Sequence, residues 1–334
     1  MSQRSPRGLL RFFIQGGWVI LLALAVFVGV TAWALAPALL RMNVRPPGDG
    51  ENVASYQFDL SNLRLPATAV LEPAMLYRDM VPVLDEPAAV VSIADVRRIA
   101  MTRKKFLLPD DAVIGVTVEG ESRAYPVSML HVHELVHDNL GGVPILVSWH
   151  WPSASPRVFD RRIDGAERTF GVSGLVAGGN QTIYPRRLDG GTGDEPLYSQ
   201  LLGRSITGPP SALRPIPSTF TTWDRWTEAQ PDTSAAGRVE GMTKRYKHAD
   251  PSAYYLSSGR LFQSAVPEGG PSPKDPVLLL PDGTLYTGGP DVEHVRAAQG
   301  NPPRLEPRPL NQDADYRHAL WHAAHALGLG GAAP

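Results

Sequence analysis

The sequence predicts an α+β fold, a β-rich mixed domain with short helices, preceded by one N-terminal transmembrane helix. Three observations carry this. Residues 12–40, "FFIQGGWVILLALAVFVGVTAWALAPALL", contain no charged side chain, and roughly 20 apolar residues suffice to cross a bilayer as a helix. Beyond them, short segments alternate apolar with polar residues between Gly, Pro and Asp turns, which is the period-2 pattern of strands. Finally, 32 glycines and 32 prolines favour many turns and short elements over long helices.

The first element is the apolar run. Arg4, Arg7 and Arg11 precede it, and Arg41 and Arg45 follow. Counted with the amino terminus, this bias leaves residues 1–11 in the cytoplasm and the rest of the chain outside. Trp18 and Trp33 fall near opposite ends of the run, where amphipathic rings favour the membrane interfaces. A cleaved signal peptide would have an apolar core of about 7–15 residues. This run is far longer, and Pro37 directly follows the Ala-Leu-Ala at 34–36. The reading is an uncleaved anchor over 12–40.

A spacer over 41–60 comes next, with the polar Pro/Gly stretch "NVRPPGDGEN" at 43–52. The exported β-rich domain occupies 61–290. Within it, "ADVRRIAMTRKK" and "TTWDRWTEAQ" read as short helices. "AVIGVTVEG" and "ESRAYPV" read as a hairpin turning at Glu119-Gly120, and "VPILVSWHW" as a strand. "RVFDRRIDGAERTFGVSG" reads as a second hairpin with Asp164-Gly165 at its tip. "QTIYPRRL" reads as an edge strand, because proline has no N–H for a central ladder. The Pro/Arg-rich tail, 291–334, ends in a helix from about Asp313 to Leu327.

Composition narrows function. With 32 basic against 33 acidic residues, no basic field suggests nucleic acid as a partner. The chain has no cysteine, which excludes disulfides, thiol catalysis and thiolate metal ligands. There is no phosphate-binding or dinucleotide-binding glycine motif, and "GVSGL" at 171–175 only loosely fits a nucleophile elbow.

The histidines are the remaining chemistry. "LHVHELVHD" at 130–138 contains HELVH, which fits the zinc-protease pattern HExxH. On one helix face His133 and His137 would meet an ion while Glu134 polarised its water. The next residues, "DNLGGVPILV", offer glycines where the helix should persist and no third ligand in phase. A looser metal set is His133, His137 and His150, which would suit zinc or copper, with Glu134 as base or supporting residue. No cofactor is favoured by the sequence. At the C-terminus, His318, His322 and His325 follow helical spacings and read as the polar flank of an amphipathic helix.

Several ordered segments resemble the DUF3179 family, exported bacterial proteins without an established general function. These are residues 111–162, "FGVSGL" at 170–175, "LYSQLLGRSITGP" at 197–209 and "TTWDRWTEAQPDT" at 221–233. The resemblance implies that a family Cys-Pro-Leu-Cys falls on His150-Trp151-Pro152-Ser153, so the cysteine pair is replaced by His150 and Ser153. It carries the family's His-Glu onto His133 and Glu134, while His137 stands where the family usually has Asn. HELVH is then a chance completion.

Two functional expectations follow. The first is a membrane-anchored extracytoplasmic accessory or scaffold subunit without catalysis. It would sit in the bacterial inner membrane and meet the lipid bilayer and the subunits of a membrane protein complex. Gly16, Gly17 and Gly29 would allow close helix packing there. The second is an exported transition-metal-binding protein or metal-dependent enzyme using the His cluster.

Overall fold

The computed structural model describes residues 16–42, 46–100, 106–187, 191–264, 266–267, 270–279, 285–287 and 317–329. Met1–Pro46 and Pro47–Pro334 form two compact units. The first contains helix α1, Trp18–Met42. Its 25 residues span roughly 37 Å at 1.5 Å per residue, enough for a hydrocarbon core of about 30 Å. Thr31 Oγ1 donates back to Phe27 O at 2.7 Å, so its hydroxyl is satisfied inside the helix. Among the described residues, α1 alone is long and apolar enough to cross a membrane.

The second unit begins at Pro47, within the stretch read as a spacer. Tyr56 and Phe58 are already buried. The elements then run β1 (Leu71–Pro73), β2 (Val90–Ser92), α2 (Ile93–Ala100), β3 (Ala112–Val118), β4 (Glu121–Pro126) and α3 (Val127–His133). Next come β5 (Leu135–Leu140), β6 (Val143–His150), β7 (Ser155–Asp160), β8 (Arg162–Ile163), β9 (Ala166–Glu167), β10 (Phe170–Ala177) and β11 (Asn180–Pro185). They are followed by β12 (Tyr198–Ser199), β13 (Arg204–Ser205), β14 (Ser218–Thr222), α4 (Trp223–Ala229), β15 (Ser234–Ala236), α5 (Thr243–His248) and α6 (Ser252–Leu256). The described C-terminal part holds β16 (Pro276–Leu279), β17 (Leu285–Thr287), β18 (Arg317–Leu320) and α7 (Trp321–Ala326).

Three sheets stack face to face. The central one, β5-β6-β7, is antiparallel. One of its faces packs on the sheet β14-β3-β4-β15-β2 through Val136, Val147, Trp149, Ile114, Tyr125 and Phe220. The other packs on the sheet β1-β10-β11-β12-β13 through Leu135, Leu146, Phe159, Val172 and Ile183. Alternation along β6 explains both contacts, because Ile145, Val147 and Trp149 point one way and Leu146, Ser148 and His150 the other. Helices α2 and α4 cover the outer face of the β3 sheet, around Val113, Trp223 and Trp226. Trp226 lies directly on the backbone of β3, since a Cβ on Gly115 would come within 2.3 Å of its ring.

The two hairpins form where their turn residues predict. Glu119 and Gly120 turn β3 into β4 at φ 47° and 80°, and Asp164 and Gly165 join β8 to β9 at φ 50° and 77°. Two expectations are corrected. β11 is an interior strand between β10 and β12, and Pro185 is tolerated because it ends the strand. The C-terminal helix does not begin near Asp313, because Arg317–Leu320 pairs antiparallel with β16 and the helix starts only at Trp321. The Pro/Arg-rich residues 291–316 lie outside the described residues.

Candidate functional site

The HELVH segment does not form one helix. α3 ends at His133, Glu134 adopts φ 55° and ψ −38° with its N–H on Leu130 O at 2.9 Å, and Leu135 already pairs with Ser148. His133 therefore closes a helix while His137 sits on a strand, so the expected common helical face is lost. The Val and Leu around His137 satisfy strand alternation in β5, and that pairing wins over helical continuation.

Each imidazole has its own partners. His133 lies 2.5 Å from Pro82 O through Nδ1 and 2.8 Å from Tyr246 Oη through Nε2. His137 Nε2 accepts from the Phe170 N–H at 2.8 Å. Its Nδ1 must then carry the proton and faces Leu84 O at 3.1 Å. Burial, reinforced by the nearby Arg161, pushes His137 down to about 4. His150 Nδ1 lies 2.7 Å from Ser153 Oγ. Among the described residues, no group of three or more His, Asp or Glu side chains is arranged to hold a metal. His133, His137 and His150 are not brought together on one point.

What the fold does assemble is a polar layer between the central sheet and the β10 sheet. His150 enters it from the end of β6, and Ser153 and Ser155 from the turn into β7. Ser153 Oγ lies 2.9 Å from Ser155 Oγ, and Asn180 Nδ2 lies 3.0 Å from both hydroxyls. Ser155 Oγ donates to Gln200 Oε1 at 2.9 Å, while Gln200 Nε2 donates to Ser148 Oγ at 3.0 Å and Ser155 O at 2.9 Å. The Leu201 N–H closes the set on Asn180 Oδ1 at 3.0 Å. All these side chains are buried. Buried amides and hydroxyls are costly unless paired, and here each finds partners.

The layer is kept neutral. Burial, and secondarily the facing His322, pushes His150 down to about 3. His322 is itself held at about 4, chiefly by burial, and its ring nitrogens lie 3.4 Å from Ser264 Oγ and Pro152 O. Glu134, fully buried, is pushed up to about 8 by desolvation. Its carboxyl accepts from Gln181 Nε2, whose Oε1 is buried without a partner among the described residues. At neutral pH Glu134 is mostly a protonated acid. It is poorly suited to take a proton from water, the task the zinc-protease pattern would set it.

Sequence reasoning missed Asn180, Gln181, Gln200 and His322. Nothing local marks them, since they reach the layer from β11, from the residue after β12 and from α7. His322 belonged to the expected solvent-facing flank, yet both it and His318 are buried. A second buried cluster was also unread. Asp138 accepts from Arg123 Nη1 at 2.5 Å and Tyr125 Oη at 2.6 Å, tying β4 to β5.

The fold and this layer define an α+β protein with one candidate membrane helix and a closed interior polar site. A family model described as a protein of unknown function, DUF3179, matches residues 78–294, well over half of the chain. The chain belongs to that family, as a divergent, cysteine-free member. No curated protein and no solved structure matches it.

Proposed function

We propose that this chain is a membrane-anchored, extracytoplasmic accessory or scaffold subunit of a membrane protein complex, without catalysis of its own. α1 would hold it in the bacterial inner membrane as a single pass, with the N-terminus cytoplasmic and the body periplasmic. Partner subunits would meet α1 and the exported domain. The observation that supports this reading is the state of the position expected to hold the family's cysteine pair. His150 and Ser153 there are buried in a neutral, mutually hydrogen-bonded layer rather than presented to a substrate. The metal-dependent alternative would need His133 and His137, both of whose ring nitrogens are engaged, to leave their partners before they could share an ion with His150.

Crosslinking in intact native membranes, before any detergent, tests the proposal. The expected result is a small set of adducts of fixed mass joining this chain to other membrane proteins. Recovery of only the free chain and its homo-adducts would contradict it.

A further inference from the structure

We infer that the loop Leu76–Met80 is a lipid-contacting surface that seats the exported domain on the outer face of its own membrane. This rests on the reading of α1 as an anchor. Leu76, Tyr77 and Met80 are 60%, 37% and 43% exposed, a concentration of large apolar side chains within five residues of a water-soluble body. Isolated exposed apolar residues are ordinary, but a cluster calls for an occupant.

The identity of that occupant comes from where the tether ends. Only residues 43–46 separate Met42, the last residue of α1, from Pro47. A fully extended chain therefore lets Pro47 leave the end of the helix by at most about 18 Å. Pro47 is bound directly to the loop, since the Arg78 N–H donates to Pro47 O at 2.9 Å. Gly48, at φ 129°, runs so close that a Cβ there would lie 2.5 Å from Tyr77 Cα, and one on Gly50 would lie 3.0 Å from Leu76 Cδ2. The exposed apolar side chains and Pro47, where the exported unit begins, are thus held together.

Arg78 fastens the loop to the domain interior. Its buried guanidinium pairs with Glu195 at 3.2 Å, donates to Tyr56 O and lies 3.4 Å over the Phe58 ring. Leu76, Tyr77 and Met80 can then project outward while the residue between them locks inward. Tyrosine and aliphatic side chains together suit the headgroup boundary, where one end is apolar and the other wet. Asp49 lies between the two glycines that touch the loop, and it is held low mainly by the Asn52 and Glu51 N–H groups. This carboxylate gives anionic lipid no advantage, so the surface suits a zwitterionic interface.

The test uses the full chain in phosphatidylcholine nanodiscs. Because the protein has no cysteine, Leu76→Cys, Glu228→Cys and Val26→Cys each carry a single nitroxide label without further change. Collision rates with oxygen, which concentrates in lipid, and with a water-soluble nickel chelate are compared. Glu228, exposed on α4, is the water reference, and Val26 in α1 is the lipid reference. The inference predicts an oxygen-to-nickel ratio at position 76 several-fold above that at 228, approaching the value at 26. A ratio at 76 equal to 228, with 26 lipid-like, would overturn the loop contact and leave the anchor standing. Low collision rates with both reagents at 76 would mean protein covers the loop, and would also overturn it. A water-like ratio at 26 would remove the anchor reading and this inference together.

Discussion

The two faces of the central sheet are built from alternate residues of the same strands, yet they solve different problems. Toward β3 and β4, Val136, Ile145, Val147, Trp149 and Val158 form an apolar interior. Toward β10 and β11, Leu146 and Phe159 give way to Ser148, His150, Ser155, Asn180 and Gln200. The first face takes its stability from area and close packing. The second depends on Ser148, Ser155, Asn180 and Gln200 partnering one another, which adds little net stability but fixes which groups must meet. The position where the family resemblance places a cysteine pair is here part of the internal framework.

Breaking each face should therefore have a different signature, and the largest loss belongs to the apolar one. Trp149→Ala removes a fully buried ring stacked on Phe220 at 5.5 Å. It should cost about 3–5 kcal/mol in chemical denaturation; a loss under half of that would mean the layer is loosely packed. Gln200→Leu keeps the volume but strands Ser148, Ser155 and Asn180. It should cost about 1–3 kcal/mol, and a neutral result would show that the polar layer is not a connected network.

The titrating groups sharpen the contrast further. Folded Glu134 holds its proton up to about 8, against 4.5 for an ordinary glutamate. Between those values the native state binds a proton that the unfolded chain has released, so stability falls as pH rises from about 4.5 to about 8. Glu134→Gln should flatten that decline and leave stability below pH 4.5 unchanged. A pH series of denaturation curves reads this directly, and an unaltered slope would contradict a buried protonated carboxyl.

His150 has the opposite sign. Its folded value of about 3 lies below the ordinary 6.5, so the unfolded chain takes up the proton first. The stability it confers is complete above about pH 6.5 and is lost as pH falls toward 3. His150→Asn, which can keep a hydrogen bond to Ser153, should reduce proton uptake on unfolding near pH 5 by about one. Unchanged uptake would mean that His150 is not the buried neutral group described.

Much of this framework was legible residue by residue. Glu119-Gly120 and Asp164-Gly165 announced their hairpins because left-handed turn positions have a narrow residue preference. The alternation of "VPILVSWH" exposed the two-faced strand β6. The site was less legible because its members meet by topology. Asn180 and Gln200 reach Ser155 across tens of residues, and no local pattern encodes that meeting. HELVH reads as a metal motif completed by chance, and its spacing of four would imply a common face only while the backbone stays helical. One residue at positive φ, Glu134, ended that condition.

Whether this chain works as a bound subunit with a closed interior is tested most directly by native mass spectrometry of gently solubilised membranes, which reads both properties in one spectrum. The predicted result is the chain within an assembly of fixed stoichiometry, at the mass of its polypeptide with no metal increment. A free chain carrying the added mass of one zinc or copper ion, lost on His150→Ala, would contradict it.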